Sequence, residues 1–235
     1  MKRSRRYQGV ATLVDPNSTY GIDEAVERLK NSATASFDET AEISLMLGIR
    51  ASQVSVRGTC NLPHGTGKSV RVLAFAKGTS IAEAEEAGAD YVGGEDLAKR
   101  IQEGWFDFDK VVATPDMMPV VGKLGKVLGP RGLMPSPKTG TVTKDVGQVI
   151  GELKKGMVEY RTDRFGVIHT VFGRASFTPE ALKENLLAVL TSVAERKPDE
   201  GIKGRFIKKV SIASTMGPGI TLDPSEVNAA VEAVS

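Results

Sequence analysis

The sequence predicts an α+β domain of the split β-α-β type, built from both ends of the chain and interrupted by an inserted three-layer α/β domain of Rossmann-like build. Three observations predict it. Apolar and polar residues alternate with period two in both outer segments. Between them, short apolar runs alternate with helical patterns in the order strand, helix, strand. Glycine-centred breaks stand where the two patterns meet, at residues 65–67 and 155–156. The expected boundaries are 1–66 with 157–235 for the outer domain and 67–156 for the inserted one. Gly65, Thr66, Gly67, Lys155 and Gly156 form a double linker expected to act as a hinge.

The elements follow in order. A basic tail (Lys2, Arg3, Arg5, Arg6) leads to a turn at Asp15-Pro16-Asn17, then to a helix whose Ile22, Ala25, Val26, Leu29 and Ala33 share one face. Ala41, Ile43, Leu45 and Leu47 alternate with Glu42, Ser44, Met46 and Gly48, the pattern of a half-buried strand, and Val54 with Val56 opens another before a break at Gly58. In the middle, residues 70–76 read as a buried strand and residues 80–87 as a helix with Ser80 as N-cap and Gly88 as its stop. Tyr91-Val92-Gly93 is a short strand, residues 95–103 a helix ended by Gly104, and Val111-Val112-Ala113 a strand, which makes a small parallel sheet. A last helix of the insert, 145–155, carries Val146, Val149, Ile150 and Leu153 on one face. Beyond it, residues 157–161 and 167–172 flank Asp163-Arg164-Phe165-Gly166 as a β-hairpin with Gly166 at positive φ. Thr178-Pro179 caps and opens a helix through Val193, and residues 205–214 form a last long strand.

Bulk composition narrows the function. With 235 residues and 40% hydrophobic content the chain can build one core or two, and its net charge of only +2 does not announce a polyanion partner. The charge is segregated instead: the N-terminus and residues 203–209 are basic, while residues 81–109 are rich in Glu and Asp. The one cysteine, Cys60, excludes an internal disulfide and a multi-thiolate zinc site, and reads as a small buried side chain. Residues 10–14 are too short an apolar run for a signal-peptide core and no run approaches a membrane span, so a soluble cytoplasmic protein without a membrane partner is expected.

Catalytic and cofactor chemistry finds no foothold. Gly65-Thr66-Gly67-Lys68-Ser69 invites a phosphate-loop reading, but Leu62 stands where that motif needs glycine and a strand, not a helix, follows. His64 and His169 have no ligands at metal spacing, and no Ser, Cys or His stands in a nucleophile setting. No cofactor, metal or catalytic residue is therefore expected. An α/β enzyme or nucleotide binder remains the alternative for the middle domain, and turnover or nucleotide binding would reveal it.

Two stretches suggest RNA. Residues 122–143 interleave Gly and Pro with Lys123, Lys126, Arg131 and Lys138 and contain no carboxylate, which suits a surface loop facing phosphate, although charge runs are usually solvated basic loops. The strand 205–214 would present Lys208, Ser211 and Ser214 and end in Thr215-Met216-Gly217-Pro218-Gly219. Short polar groups there could reach 2′-hydroxyls while Met216 and Phe37 stack on sugars and bases. The same residues could also be a C-terminal turn with no partner, and Phe37 a cap on the core.

The run Gly129-Pro130-Arg131-Gly132-Leu133-Met134-Pro135, with Pro137-Lys138 and Gly140-Thr141-Val142, resembles the hallmark of the L-one family of large-subunit ribosomal proteins. Leu62-Pro63-His64-Gly65-Thr66-Gly67-Lys68 and Ile207-Lys208-Lys209-Val210-Ser211-Ile212, leading to Thr215-Met216-Gly217, resemble it too, in the same order and spacing. The likeness runs from about residue 23 to 219.

The resemblance implies a two-domain protein, monomeric when free, on the mobile stalk of the ribosomal large subunit. It would bind 23S rRNA near the tRNA exit site, assist release of deacylated tRNA, and repress its own mRNA through the same surface. A free-standing RNA regulator that does not sediment with ribosomes is the other reading. The RNA-contacting set carried over is Phe37, Thr40, Glu42, Arg164, His169, Ser211, Thr215, Met216 and Gly217, to which the strand pattern adds Lys208. Lys123, Lys126, Arg131 and Lys138 form a secondary basic loop. Two departures bear on affinity: Ser36 stands where members often carry lysine, and the 50–55 connection is shorter and less charged than usual.

Overall fold

A computed structural model describes residues 3–50, 54–198 and 200–234. Along the chain run α1 (Arg5–Ala11), α2 (Ile22–Ser32), β1 (Thr40–Ile49), β2 (Arg57–Asn61), β3 (Val72–Phe75), α3 (Thr79–Glu86), β4 (Tyr91–Gly93), α4 (Glu95–Gln102) and β5 (Lys110–Ala113). The short α5 (Met118–Gly122) and α6 (Gly125–Leu128) follow, then α7 (Val146–Lys155), β6 (Met157–Arg161), β7 (Val167–Arg174), α8 (Pro179–Glu195), β8 (Ile202–Ser214), β9 (Ile220–Thr221) and α9 (Pro224–Val234). The chain forms two compact units, Met1–Gly67 with Val158–Ser235 and, between them, Lys68–Met157.

The outer unit holds a four-stranded sheet in the order β7-β1-β8-β9, with β7, β8 and β9 each antiparallel to its neighbour. The alternation in β1 decides which face is covered. Ala41, Ile43, Leu45 and Leu47 are buried against α2 and α8, whereas Thr40, Glu42, Ser44 and Met46 stand on the other face. Leu182, Leu186, Val189, Leu190 and Val193 make one buried stripe of α8, and Thr178 caps that helix by accepting from the Ala181 N–H (3.3 Å). Cys60 is buried in the same core, where loss of solvation pushes its thiol pKa up to about 11.

The inserted unit is a parallel sheet, β4-β3-β5. Val72, Ala74 and Val112 pack with Ala84 of α3 and Val146, Ile150 and Leu153 of α7; Leu73, Phe75, Val111 and Ala113 pack on the opposite side with α4, α5 and α6. Sheet and two helical coverings make three layers, as helices on both faces of a parallel sheet require. Asp109 ties the starts of β3 and β5 together by accepting from Lys68 (2.8 Å) and from the Arg71 N–H and Nε (3.2 Å each). The Lys68 hydrogen bond leads the forces that hold its carboxyl down at about 2.

Several sequence expectations need correcting. Residues 157–172 are not a hairpin: β6 pairs with β2 and β7 pairs with β1, and the two meet at the isolated Thr162–Ile168 bridge and the Asp163 N–H to Val167 O bond (2.9 Å) of the turn. The turn itself is as expected, with Gly166 at φ 80° and the Asp163 carboxylate accepting from the Phe165 and Val167 N–H groups (2.8 Å each). It passes the chain from one sheet to another. Ser80 is not the N-cap of α3; Gly78 is, without a side-chain cap. Gly58 does not break a strand but lies inside β2, and the basic tail contains α1, capped by Ser4. Ser214 is not presented outward but buried. The 122–143 stretch is not one extended loop. It winds through α5, α6 and a 3-10 turn at Pro137–Thr139, burying Leu124, Leu128 and Thr139. Of the shortened 50–55 connection, residues 51–53 lie outside the described residues.

Candidate nucleic-acid interface

The uncovered face of the outer sheet is the candidate surface, and strand register sets its rows. Glu42 stands between Val171 and Ala213, Ser44 between His169 and Ser211, and Met46 between Val167 and Lys209. Paired residues on antiparallel strands point the same way, so these rows share the open face. In the middle row Ser44 Oγ lies 3.0 Å from His169 Nδ1. Beyond the last row Arg164 lies over the Phe165 ring, 5.0 Å from its centroid, in the β6–β7 turn. Lys208 is exposed at the irregularity that shifts the β1–β8 register between Met46 and Leu47, so Lys209 rather than Lys208 is in line with the rows.

At the other end, two chain segments are locked into one another. Thr215 N–H donates to Thr40 O (3.1 Å) and Thr40 N–H donates to Thr215 Oγ1 (2.9 Å). Beneath them Glu39 is buried. One carboxylate oxygen accepts from the Ala35 N–H (2.8 Å), the other from the Ser214 hydroxyl (2.7 Å) and the Met216 N–H (2.9 Å). Burial alone would raise the pKa of this acid, but those three hydrogen bonds and the charge of Arg6 together outweigh it and hold Glu39 below its ordinary value. Gly217 closes the turn, its N–H donating to Ser214 O (3.1 Å). A Cβ there would sit 2.4 Å from Ser214 Oγ, so the turn has room only for glycine.

Above this scaffold two large apolar side chains are left in solvent, Phe37 at 53% exposed and Met216 at 47%. They flank polar Thr40 and Thr215, so the end of the sheet offers flat apolar contacts beside hydrogen-bonding groups. The nine carried-over residues therefore fall in three places: Phe37, Thr40, Thr215, Met216 and Gly217 at the locked end, Glu42, His169 and Ser211 along the rows, and Arg164 at the far turn. Glu39, Ser44, Met46 and Lys209 were missed. Ser44 and Met46 were legible in the alternation of β1, whereas nothing in the sequence marks Glu39 as a buried hub.

The secondary basic residues Lys123, Lys126, Arg131 and Lys138 are all exposed, but in the inserted unit. Arg131 is stacked on Phe106, its guanidinium carbon 3.7 Å from the ring centroid. Of the linker residues, Gly65, Gly67 and Gly156 adopt positive φ, and Gly156 ends α7. Among the described residues there is no group of three or more His, Cys, Asp or Glu that could hold a metal ion, and no helix is long and apolar enough to cross a membrane.

Comparison with known proteins agrees with the motif likeness. Residues 29–218 match the model described as the ribosomal protein L1p/L10e family. The large ribosomal subunit protein uL1 of Fervidobacterium nodosum is 57% identical over 225 residues, covering 94% of this chain and 95% of that protein. The protein of the same name from Thermus thermophilus is 54% identical over 226 residues, covering 95% and 98%. Its counterpart in Thermosipho africanus is 54% identical over 227 residues, covering 95% and 97%.

Proposed function

Because this chain belongs to the ribosomal protein L1p/L10e family, a family of ribosomal proteins and not of enzymes, we propose that it is a large-subunit protein that binds 23S rRNA through the open face of its outer sheet. The observation that carries this reading is the locked turn: Glu39, Thr40 and Thr215 fix the backbone so that Phe37 and Met216 stand in solvent beside short polar groups. An irregular RNA presents sugar hydroxyls and unstacked bases, and such a rigid mixed surface recognises them at little entropic cost. Arg164, His169, Lys208 and Lys209 add positive or hydrogen-bonding groups along the same side.

In this reading the protein works in the cytoplasm as part of the ribosome, at the stalk beside the tRNA exit site. The inserted unit moves about the 65–67 and 155–156 linkers and offers Lys123, Lys126, Arg131 and Lys138 to RNA or to departing deacylated tRNA. Free of the ribosome it is a monomer, and the same outer surface holds its own mRNA and represses translation. The two RNAs then exclude one another, and finding both bound together would sink that part of the reading.

The test is binding to a stalk-region 23S rRNA fragment over a salt series, with Met216→Asp, Thr215→Val and a Lys126/Arg131/Lys138 triple alanine. The first two should each weaken binding by about 1–3 kcal/mol at little change in salt slope. Because the Thr215 hydroxyl also accepts from the Thr40 N–H, its variant is read beside a measured unfolding midpoint. The triple variant should bind this fragment almost as the parent does. Collapse of binding in the triple variant alone would move the primary site to the inserted unit.

A further inference from the structure

We propose that Arg6, on α1, is a positioning residue for RNA recognition, holding the two chain segments of the locked turn in one geometry; the inference rests on the reading that this end of the sheet is the RNA site. The guanidinium forks. Nη1 donates to Thr34 Oγ1 (3.1 Å), at the start of the segment that carries Phe37, and Nη2 donates to Met216 O (2.8 Å). Met216 is thereby gripped on both sides of its Cα, its N–H by Glu39 (2.9 Å) and its C=O by Arg6. Its side chain is what remains for a partner.

The chemistry asks for arginine. A planar fork satisfies two separated acceptors at once, where an ammonium on a flexible stem is a point charge with no such plane. The charge of the same cation also helps hold down the pKa of the Glu39 carboxylate that organises the turn from below, so charge and hydrogen bonding act in one direction. The helix that carries Arg6 is built to be seated, not to stand alone. It has seven residues, too few to persist in water, and Val10 is its one buried side chain. Arg3 and Arg5 on the same segment are exposed, so the segment could also attract phosphate generally.

The experiment separates bracing from phosphate contact. Affinity for the stalk-region 23S rRNA fragment is measured against salt for Arg6→Ala, Arg6→Lys, Arg5→Ala and Met216→Asp, and amide exchange at Met216 and Gly217 is followed in the free protein. A brace predicts that Arg6→Ala weakens binding roughly tenfold, as loss of charge-assisted hydrogen bonds does, with an unchanged salt slope and faster exchange at those amides. Arg6→Lys should restore only part of the affinity, and Arg5→Ala should leave the exchange unchanged. Two results overturn the inference. Arg6→Ala could bind within about twofold of the parent, or its salt slope could fall by roughly 0.7 while exchange stays the same, the mark of a single lost phosphate contact. If Met216→Asp binds normally, the RNA site itself is elsewhere and the proposed function fails first; if it abolishes binding while Arg6→Ala does not, only the brace is wrong.

Discussion

Glu39 occupies a place a carboxylate would avoid on solvation grounds, and it stays charged because three donors converge on it, Ala35 from its own loop and Ser214 and Met216 from a turn far along the chain. Its lowered pKa makes its contribution pH-dependent in a known sense. The native state binds fewer protons than the unfolded one, so the stabilisation is complete above the ordinary glutamate value of 4.5 and is lost as pH falls through the lower native value. Urea midpoints should therefore drop below about pH 4.5, and Glu39→Gln should flatten part of that drop while lowering the midpoint at neutral pH; an unchanged acid limb would contradict the assignment. Gly217 tests the same hub sterically. Ser214 Oγ, which a Cβ would meet at 2.4 Å, is held by Glu39 and cannot swing aside without breaking that bond. Gly217→Ala should cost about 1–3 kcal/mol in an equilibrium unfolding measurement and weaken RNA binding with it. None of this was visible in sequence, where Glu39 is the second of two adjacent acids and its donors Ser214 and Met216 lie 175 and 177 residues away.

At the scale of elements, periodicity carried far. The alternation of residues 41–47 identified both β1 and its buried face, and it is the same alternation that leaves Ser44 and Met46 beside the carried-over Glu42. The helical stripe of α8 and its Thr178 cap were equally local signals. Pairing was not local. Residues 157–172 have every mark of a hairpin, yet Thr162 bonds the Val56 N–H and C=O, Tyr160 donates to Ser192 O of α8, and β6 is drawn away to β2. The basic stretch misled in the opposite direction, because Gly and Pro read as loop while Leu124 and Leu128 are spaced to bury one side of short helical turns. Asn185 shows how an element is fixed from outside its own pattern. Fully buried on α8, it donates to Gly65 O (3.1 Å) and Phe172 O (2.8 Å) and accepts from the His64 N–H (3.0 Å). Asn185→Leu would strip those three backbone groups of their partner, and the expected loss is on the order of 3 kcal/mol in a urea titration. A loss under about 0.5 kcal/mol would mean that water or a shifted backbone replaces the amide.

For the whole molecule, each unit has hydrophobic clusters of its own, the outer around β1, β7, β8 and α8 and the inserted on both faces of β3. Independent cores lead us to expect independent folding. Replacing residues 68–157 by a short Gly/Ser linker should leave an outer unit that unfolds cooperatively and binds the stalk-region fragment within about threefold of the parent. A chain that no longer folds would show that the insert completes the outer core. The charge pattern legible in the sequence belongs to this scale as well, since a net +2 conceals a basic set in residues 122–143 and an acid-rich set in residues 81–109.

The strand pairing also fixes an order in time. β1 leaves the ribosome early in synthesis, but both of its partners, β7 and β8, follow only after the whole of Lys68–Met157 has been made. A nascent chain that has reached residue 160 can hold a finished parallel sheet while β1 is still an edge on both sides, and long-range pairing of this kind is the slow step of folding. The lock between Thr40 and Thr215 closes later than the inserted sheet, because 175 residues separate its two halves. If the proposed reading holds, a product that stops short of Thr215 lacks half of the RNA surface, and competition assays with such a fragment should show no displacement of the full chain.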